Sequence, residues 1–287
     1  MINFFQRKLK RIKMKTVIKH SAIALSALLL TACSQHEVKV AETNVKHEVH
    51  ASVQEHEHTA SHHAKHWGYS ADVGPSHWST LNEKFHMCSE GTQQSPIDLV
   101  PTKDSALAPL KINYNVGSKS EINNGHTVQV NFKAGNTLNI DGTTFELKQF
   151  HFHTPSENHI NGKSFPMEAH FVHASADGKL AVISVMFQEG ARNPTLNMML
   201  KNFPLTKHVD TPLEFSKDYL KVMLPNSLDY YEFMGSLTTP PCSEKVRWIV
   251  LKNPISASKE QIAAMHKEIG MNNNRPIQAS NSRVIEE

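Results

Sequence analysis

The stretch Gln149-Phe150-His151-Phe152-His153, with Glu168-Ala169-His170-Phe171 downstream, decides how this chain is read. A β-strand sends successive side chains to opposite faces. His151 and His153 therefore share one face, and Phe150 and Phe152 take the other. In the second segment Glu168 and His170 share a face, with Ala169 and Phe171 opposite. Laid side by side, the two strands bring three imidazoles to one point. Three neutral nitrogen ligands that leave one position open are the donor set of a catalytic zinc site.

The rest of the chain bounds what such a site can serve. Its 287 residues suit one large domain or two small ones, and an apolar fraction of 39% suits a soluble globular protein. The formal charge of +3 misleads, because residues 1–32 hold seven basic residues (Arg7, Lys8, Lys10, Arg11, Lys13, Lys15 and Lys19) and no acidic one. Without them 30 − 7 = 23 basic residues face 27 acidic ones, a balance of −4. A nucleic-acid binder should carry a basic face on its folded part, so that class is excluded.

The opening segment reads as an export signal over residues 1–32: a basic head, then the apolar run Ser21 to Ala32, too short to span a bilayer. Met14 is an alternative start that leaves a shorter basic head. Leu30-Thr31-Ala32-Cys33 resembles a bacterial lipobox, which implies cleavage before Cys33 and lipidation of its thiol. An ordinary signal peptide that happens to hold a Cys is the alternative. Ser34, in place of an Asp, favours the outer membrane, with the chain facing the periplasm or the cell surface. The two remaining cysteines, Cys88 and Cys242, are expected to pair in that oxidising compartment.

Residues 33–65 read as the lipidated Cys and a flexible linker. The stretch carries His36, His47, His50, His56, His58, His62 and His63 and no bulky apolar residue beyond Val, so it cannot bury a core. It is a solvated spacer, with a zinc-collecting tether as the other reading.

From His66 onward the pattern is folded and β-dominated. Val128-Gln129-Val130-Asn131-Phe132 alternates, and Asn139 to Phe145 reads as strand, Asp-Gly turn and returning strand. Leu180 to Phe187 is almost wholly apolar and is predicted to be a buried central strand; Arg247 to Leu251 is similar. A helix is predicted from Pro194 to about Lys201. A second has Ser258 as N-cap, Gln261 three residues on, an apolar face of Ile262, Met265 and Ile269, and a stop at Gly270. Nothing repeats, and residues 66–287 read as one domain.

Here a resemblance becomes specific. The two His-bearing stretches and Gly235-Ser236-Leu237-Thr238-Thr239-Pro240-Pro241 resemble motifs of the α-class carbonic anhydrases. So do His66-Trp67-Gly68-Tyr69, Gln94-Ser95-Pro96-Ile97-Asp98-Leu99, Asn123-Asn124-Gly125-His126 and Asn273-Asn274-Arg275-Pro276, in the family's order across 66–287. The resemblance implies a mainly β (α+β) fold: a single domain around a large, mostly antiparallel, twisted central sheet with short peripheral helices. It implies Zn2+ on His151, His153 and His170, and reversible hydration of carbon dioxide to bicarbonate and a proton by zinc-bound hydroxide.

It also assigns supporting roles. Gln149 and Glu168, two positions before a ligand and on its face, orient imidazoles. Thr238 is a gatekeeper whose hydroxyl donates a hydrogen bond to Glu157 and accepts one from the attacking hydroxide, orienting it, with Thr239 beside it in the pocket. Val172, Val182, Leu237, Val246 and Trp248 form an apolar wall for CO2, though Val246 and Trp248 also suit ordinary core packing. His126 shuttles the proton, with Tyr69 and Asn124 ordering the water between; a pKa near neutrality suits an imidazole to this. His159 and His173 read as surface or structural. Cis bonds at Ser95–Pro96 and Pro240–Pro241 are implied too. Three departures stand out: Lys148 replaces an apolar rim residue of vertebrate members, the segment between His170 and Val182 is shorter, and Asn158 stands where many members have His, altering the support expected behind Glu157.

The alternatives are a non-catalytic binding module of the same fold and a periplasmic zinc-binding lipoprotein. Expected partners are CO2 and bicarbonate, the membrane through Cys33, and a second copy in a homodimer.

Overall fold

Strands dominate because β-formers alternate with Asn, Gly and Asp turns along most of the chain. In the computed structural model, which describes residues 66–287, thirteen strands follow one another among the described residues. They are β1 (Asp98–Leu99), β2 (Lys111–Tyr114), β3 (Ser118–Asn123), β4 (Val128–Phe132), β5 (Asn136–Ile140), β6 (Thr143–His153), β7 (His159–Ile160), β8 (Met167–Ser175), β9 (Leu180–Glu189), β10 (Thr211–Pro212), β11 (Tyr230–Ser236), β12 (Glu244–Leu251) and β13 (Ile255–Ala257). The export segment, Cys33 and the His-rich linker lie outside the described residues.

Eleven strands form one sheet in the order β10-β3-β4-β6-β8-β9-β12-β11, with β5 bonded to β2 and β6, and β13 to β9. Pairing is antiparallel except where β12 and β13 meet β9. β1 and β7 make a separate parallel pair. The almost wholly apolar Leu180–Phe187 run has no face that water can wet, and β9 accordingly lies inside, between β8 and β12. At Asp141-Gly142 both residues take positive φ, 49° and 81°, the two-residue turn that joins β5 to β6.

The helices Pro194–Met199 and Lys259–Ile269 pack into the larger core through Leu196, Met199, Ile262, Met265 and Ile269. The helix Lys259–Ile269 starts in a capping box: the Gln261 N–H donates to Ser258 Oγ at 3.3 Å, and the Ser258 N–H donates to Gln261 Oε1 at 3.1 Å. Gly270 ends it at φ 84°. The helix Pro194–Met199 stops short of Lys201. Pro204 lies just beyond and disfavours helical geometry before it, so the chain tightens into turns through Lys201 and Asn202.

Side-chain parity positions the site. Phe145 and Leu147 of β6 point into the larger core, with Phe150 and Phe152. Odd and even positions cannot share a face in a regular strand. A bulge makes it possible: Leu147 pairs with His173 and Gln149 with Val172, so Lys148 is one residue too many. The extra residue turns His151 and His153 away from the core. On β8, Ala169 and Phe171 join the phenylalanines, while His170 faces the other way. Phe150, Phe152 and Phe171 have no exposed surface, and burying one such ring contributes ~1.5–3 kcal/mol. His173, on the core face, is fully buried, its Nε2 2.8 Å from the Tyr114 hydroxyl; burial brings its pKa down to about 4. It is a structural residue, not a surface one.

Candidate metal centre

His151 and His170 are direct cross-strand partners on β6 and β8, and His153 lies two residues along from His151 on the same face. Their ring centroids are 5.1, 5.3 and 4.5 Å apart, and one ring nitrogen of each lies within 4.8 Å of the others. The remaining nitrogens are held from outside. His151 Nδ1 donates to Gln149 Oε1 at 2.8 Å, His153 Nδ1 to the Asn273 carbonyl at 2.7 Å, and His170 Nε2 to Glu168 Oε1 at 2.8 Å. Each acceptor fixes a tautomer, so the lone pairs sit on Nε2 of His151, Nε2 of His153 and Nδ1 of His170. His153 Nε2 is buried with no hydrogen-bond partner. A buried lone pair is costly to leave unmatched, and a cation among the three nitrogens matches it.

Burial favours the neutral ring at His151 and His153. Burial, followed by repulsion from His153 and His170, holds the His151 pKa well below its usual value. Burial also lowers His153, partly offset by its bond to the Asn273 carbonyl. Neutral imidazole is the form that ligates metal.

The orienting groups are themselves held. Glu168 accepts five hydrogen bonds, from His170, from Ser184 Oγ at 2.6 Å, from Asn158 Nδ2 at 2.8 Å, and from the N–H groups of Glu157 and Asn158. Burial would raise this carboxyl; the His170 ring and the donors outweigh it and hold it at about 2. Asn158 therefore serves Glu168, not Glu157. Glu157 Oε1 accepts the Arg275 backbone N–H at 2.8 Å, and the Thr238 hydroxyl lies near the carboxylate, while Oε2 makes no hydrogen bond of full geometry. Burial pushes Glu157 up to about 7, against the pull of His170, Arg275 and the Thr238 hydroxyl.

Thr238 and Thr239 lie on the loop after β11, Thr238 buried and Thr239 half-buried. Cys242, on the same loop, is joined to Cys88, and its N–H donates to the Thr239 carbonyl at 2.8 Å. The Ser95–Pro96 and Pro240–Pro241 bonds are cis, as are Thr154–Pro155 and Phe203–Pro204. Val172, Val182, Leu237, Val246 and Trp248 belong to one apolar cluster on the histidine face, and Trp248 meets the His170 ring edge-on at 4.8 Å. Lys148, on the bulge, is paired with Glu146.

Asn124 Oδ1 accepts the N–H groups of His126 and Thr127, both at 3.0 Å, so its oxygen builds the turn that carries His126. The His126 ring lies flat on Trp67, 3.7 Å between centroids and 7° between planes, with Tyr69 6.5 Å away. Burial first, and the Glu157 charge second, push the Tyr69 phenol well up.

Asn273 and Arg275 carry roles that sequence reading did not assign. Asn273 holds His153 through its carbonyl. The Arg275 guanidinium, buried, donates to Gln94 Oε1 and to the carbonyls of Ser95 and Cys88. The stretch Asn273-Asn274-Arg275-Pro276 stands out as a motif, but no local pattern says that its carbonyl meets a ring 120 residues away.

A centre of three imidazoles with braced outer nitrogens, set on a sheet beside an apolar wall, defines a mononuclear zinc enzyme. The family described as eukaryotic-type carbonic anhydrase matches residues 73–287. A carbonic anhydrase of Pectobacterium atrosepticum is 49% identical over 226 residues, covering 77% of this chain and 90% of that protein. The solved α-carbonic anhydrase of Photobacterium profundum is 46% identical with a TM-score of 0.72, covering 77% of this chain and all of the other. That of Thermovibrio ammonificans, solved with the inhibitor sulfanilamide, is 43% identical with a TM-score of 0.73, covering 77% and 99%. The chain belongs to the α-class carbonic anhydrase family.

Proposed function

We propose that this protein is a zinc enzyme that interconverts carbon dioxide and bicarbonate. One observation carries the reading: three ring nitrogens, their outer partners all acceptors, turn their lone pairs toward one point. Zinc, when bound there, supplies a Lewis acid that makes water nucleophilic near neutral pH.

The chain's own residues do the rest. His151, His153 and His170 hold the ion and, being neutral, leave its charge undiminished. Gln149, Glu168 and the Asn273 carbonyl keep the rings aimed. The Thr238 hydroxyl, backed by Glu157, accepts a hydrogen bond from the attacking oxygen and fixes its direction, which raises the rate by orientation. Thr239 lines the pocket next to it. Val172, Val182, Leu237, Val246 and Trp248 offer CO2 an apolar surface and bicarbonate none of the hydrogen bonds that would retain it. His126 takes up the proton released in each cycle, with Tyr69 at the edge of its platform.

Exposure to a zinc chelator followed by removal of the metal is expected to abolish stopped-flow CO2 hydration, and one equivalent of Zn2+ per chain to restore it. Full turnover by metal-free protein would overturn the assignment. The intact ligand set, with Thr238 and Glu157 in place, tells against a non-catalytic module.

Export and anchoring belong to the same proposal. A basic head, an apolar run and the lipobox-like Leu30-Thr31-Ala32-Cys33 support a lipoprotein fixed at Cys33 in the outer membrane and facing the periplasm, with the His-rich stretch as its spacer. Cells supplied with labelled palmitate are expected to label the wild type and not Cys33→Ser. Equal labelling of both would refute the anchor.

A further inference from the structure

We infer that Ser184 is a positioning residue for the metal centre: acting through Glu168, its hydroxyl fixes the aim of His170 and slows the release of zinc. This rests on the reading of the three imidazoles as zinc ligands and goes one layer behind them. The run Leu180–Phe187 is apolar at every position but Ser184. A hydroxyl inside such a strand costs free energy unless it is bonded. Ser184 has no exposed surface, and its Oγ donates to Glu168 Oε1 at 2.6 Å. That is the short contact expected where an O–H donor meets an ionised carboxylate.

Register makes the contact. Ser184 lies directly opposite His170 in the β8–β9 pairing, and Met186 lies opposite Glu168. Cross-strand partners share a face, so Ser184 stands on the metal side of the sheet beside the ring it serves. On its other flank β9 pairs with β12, where Val250 is the partner of Ser184 and Trp248 that of Val182. The hydroxyl is thus carried by a strand held on both sides.

The five donors to Glu168 divide by origin. Asn158 Nδ2 and the N–H groups of Glu157 and Asn158 belong to the loop after β6. His170 Nε2 is the group being aimed. Of the five, Ser184 alone ties the carboxylate to the neighbouring strand. With it, Oε1 is pinned between loop and sheet, and the His170 N–H points to a fixed acceptor. Without it, the carboxylate follows the loop, the ring gains freedom to turn, and the lone pair on Nδ1 loses its direction.

The test uses the full-length, zinc-loaded protein and follows loss of the metal to excess EDTA. Groups that orient metal ligands contribute about 10–100-fold to affinity, so Ser184→Ala is expected to release zinc at least about 5-fold faster than wild type. Ser184→Thr keeps the hydroxyl and should stay within about twofold of wild type. The visible absorption of Co2+-loaded protein, which reports ligand geometry, should change in Ser184→Ala and not in Ser184→Thr.

Glu168→Gln completes a cycle. If the hydroxyl acts through the carboxylate, adding Ser184→Ala to Glu168→Gln should speed release by less than about twofold more, because coupled sites do not add. The proposal falls if Ser184→Ala releases zinc within about twofold of wild type, if Ser184→Thr is as fast as Ser184→Ala, or if the double variant shows both factors multiplied. Loss of native circular dichroism in Ser184→Ala would make Ser184 a folding residue and would also overturn it. A wild type that retains no zinc would instead strike the zinc reading itself.

Discussion

Replacing His170 by alanine is expected to abolish tight zinc binding and to lower CO2 hydration by at least about 10⁴-fold, because the metal supplies most of the acceleration. His170 sits on β8 directly opposite His151, and its ring is almost wholly buried. Among the described residues it forms a three-membered donor group with His151 and His153, so its loss leaves two ligands. The change also frees Glu168 Oε1 from one donor while Ser184 and Asn158 still hold it, so the sheet should remain folded. Glu168→Gln is the instructive comparison. It keeps the ligand and loosens its aim, and should weaken zinc binding by about 10–100-fold. Zinc content after dialysis, circular dichroism and stopped-flow hydration would decide the matter. A folded His170→Ala protein that retains one zinc and turns over within tenfold of wild type would break the ligand assignment.

The largest expected effect on stability comes from the Cys88–Cys242 bond. It closes a loop of 154 residues, and in the chain-entropy account such a crosslink stabilises the folded state by about 5 kcal/mol. Cys88→Ser/Cys242→Ser should therefore lose up to about 5 kcal/mol in urea unfolding under oxidising conditions. Activity should fall as well, by a local route. Cys242 donates to the Thr239 carbonyl, and Gln94 Nε2 donates to the Cys242 carbonyl at 3.1 Å, so the bond clamps the loop bearing Thr238. Unfolding free energies within about 1 kcal/mol of each other would show that the crosslink adds little beyond the packing of Trp78, Cys88 and Cys242 around it.

Several parts of this architecture were legible one segment at a time. The His-Phe-His alternation placed two imidazoles on one face, and Glu168-Ala169-His170-Phe171 did the same for the partner strand, because a period of two is a property of any extended chain. The capping box at Ser258 and Gln261 and the stop at Gly270 depend on neighbours within a few residues, and both formed as read. The apolar run from Leu180 demanded cover on both faces and found it. The helix from Pro194 was placed correctly at its start, where the cap is local, and too long at its end, where Pro204 intervenes.

Local chemistry thus determined which side chains could act together: three imidazoles on two strand faces, with a carboxylate and an amide beside them. Tertiary structure alone decided that they do. Register brings His151 opposite His170, and the extra residue at Lys148 turns the histidines off the phenylalanine core that regular alternation from Phe145 and Leu147 would have put them into. The Asn273 carbonyl, the Arg275 braces and the His66–His126 contact join segments 60 to 187 residues apart. Such pairings leave no trace in a short window of sequence, because their partners become neighbours only when the whole sheet closes its hydrogen bonds and buries one face.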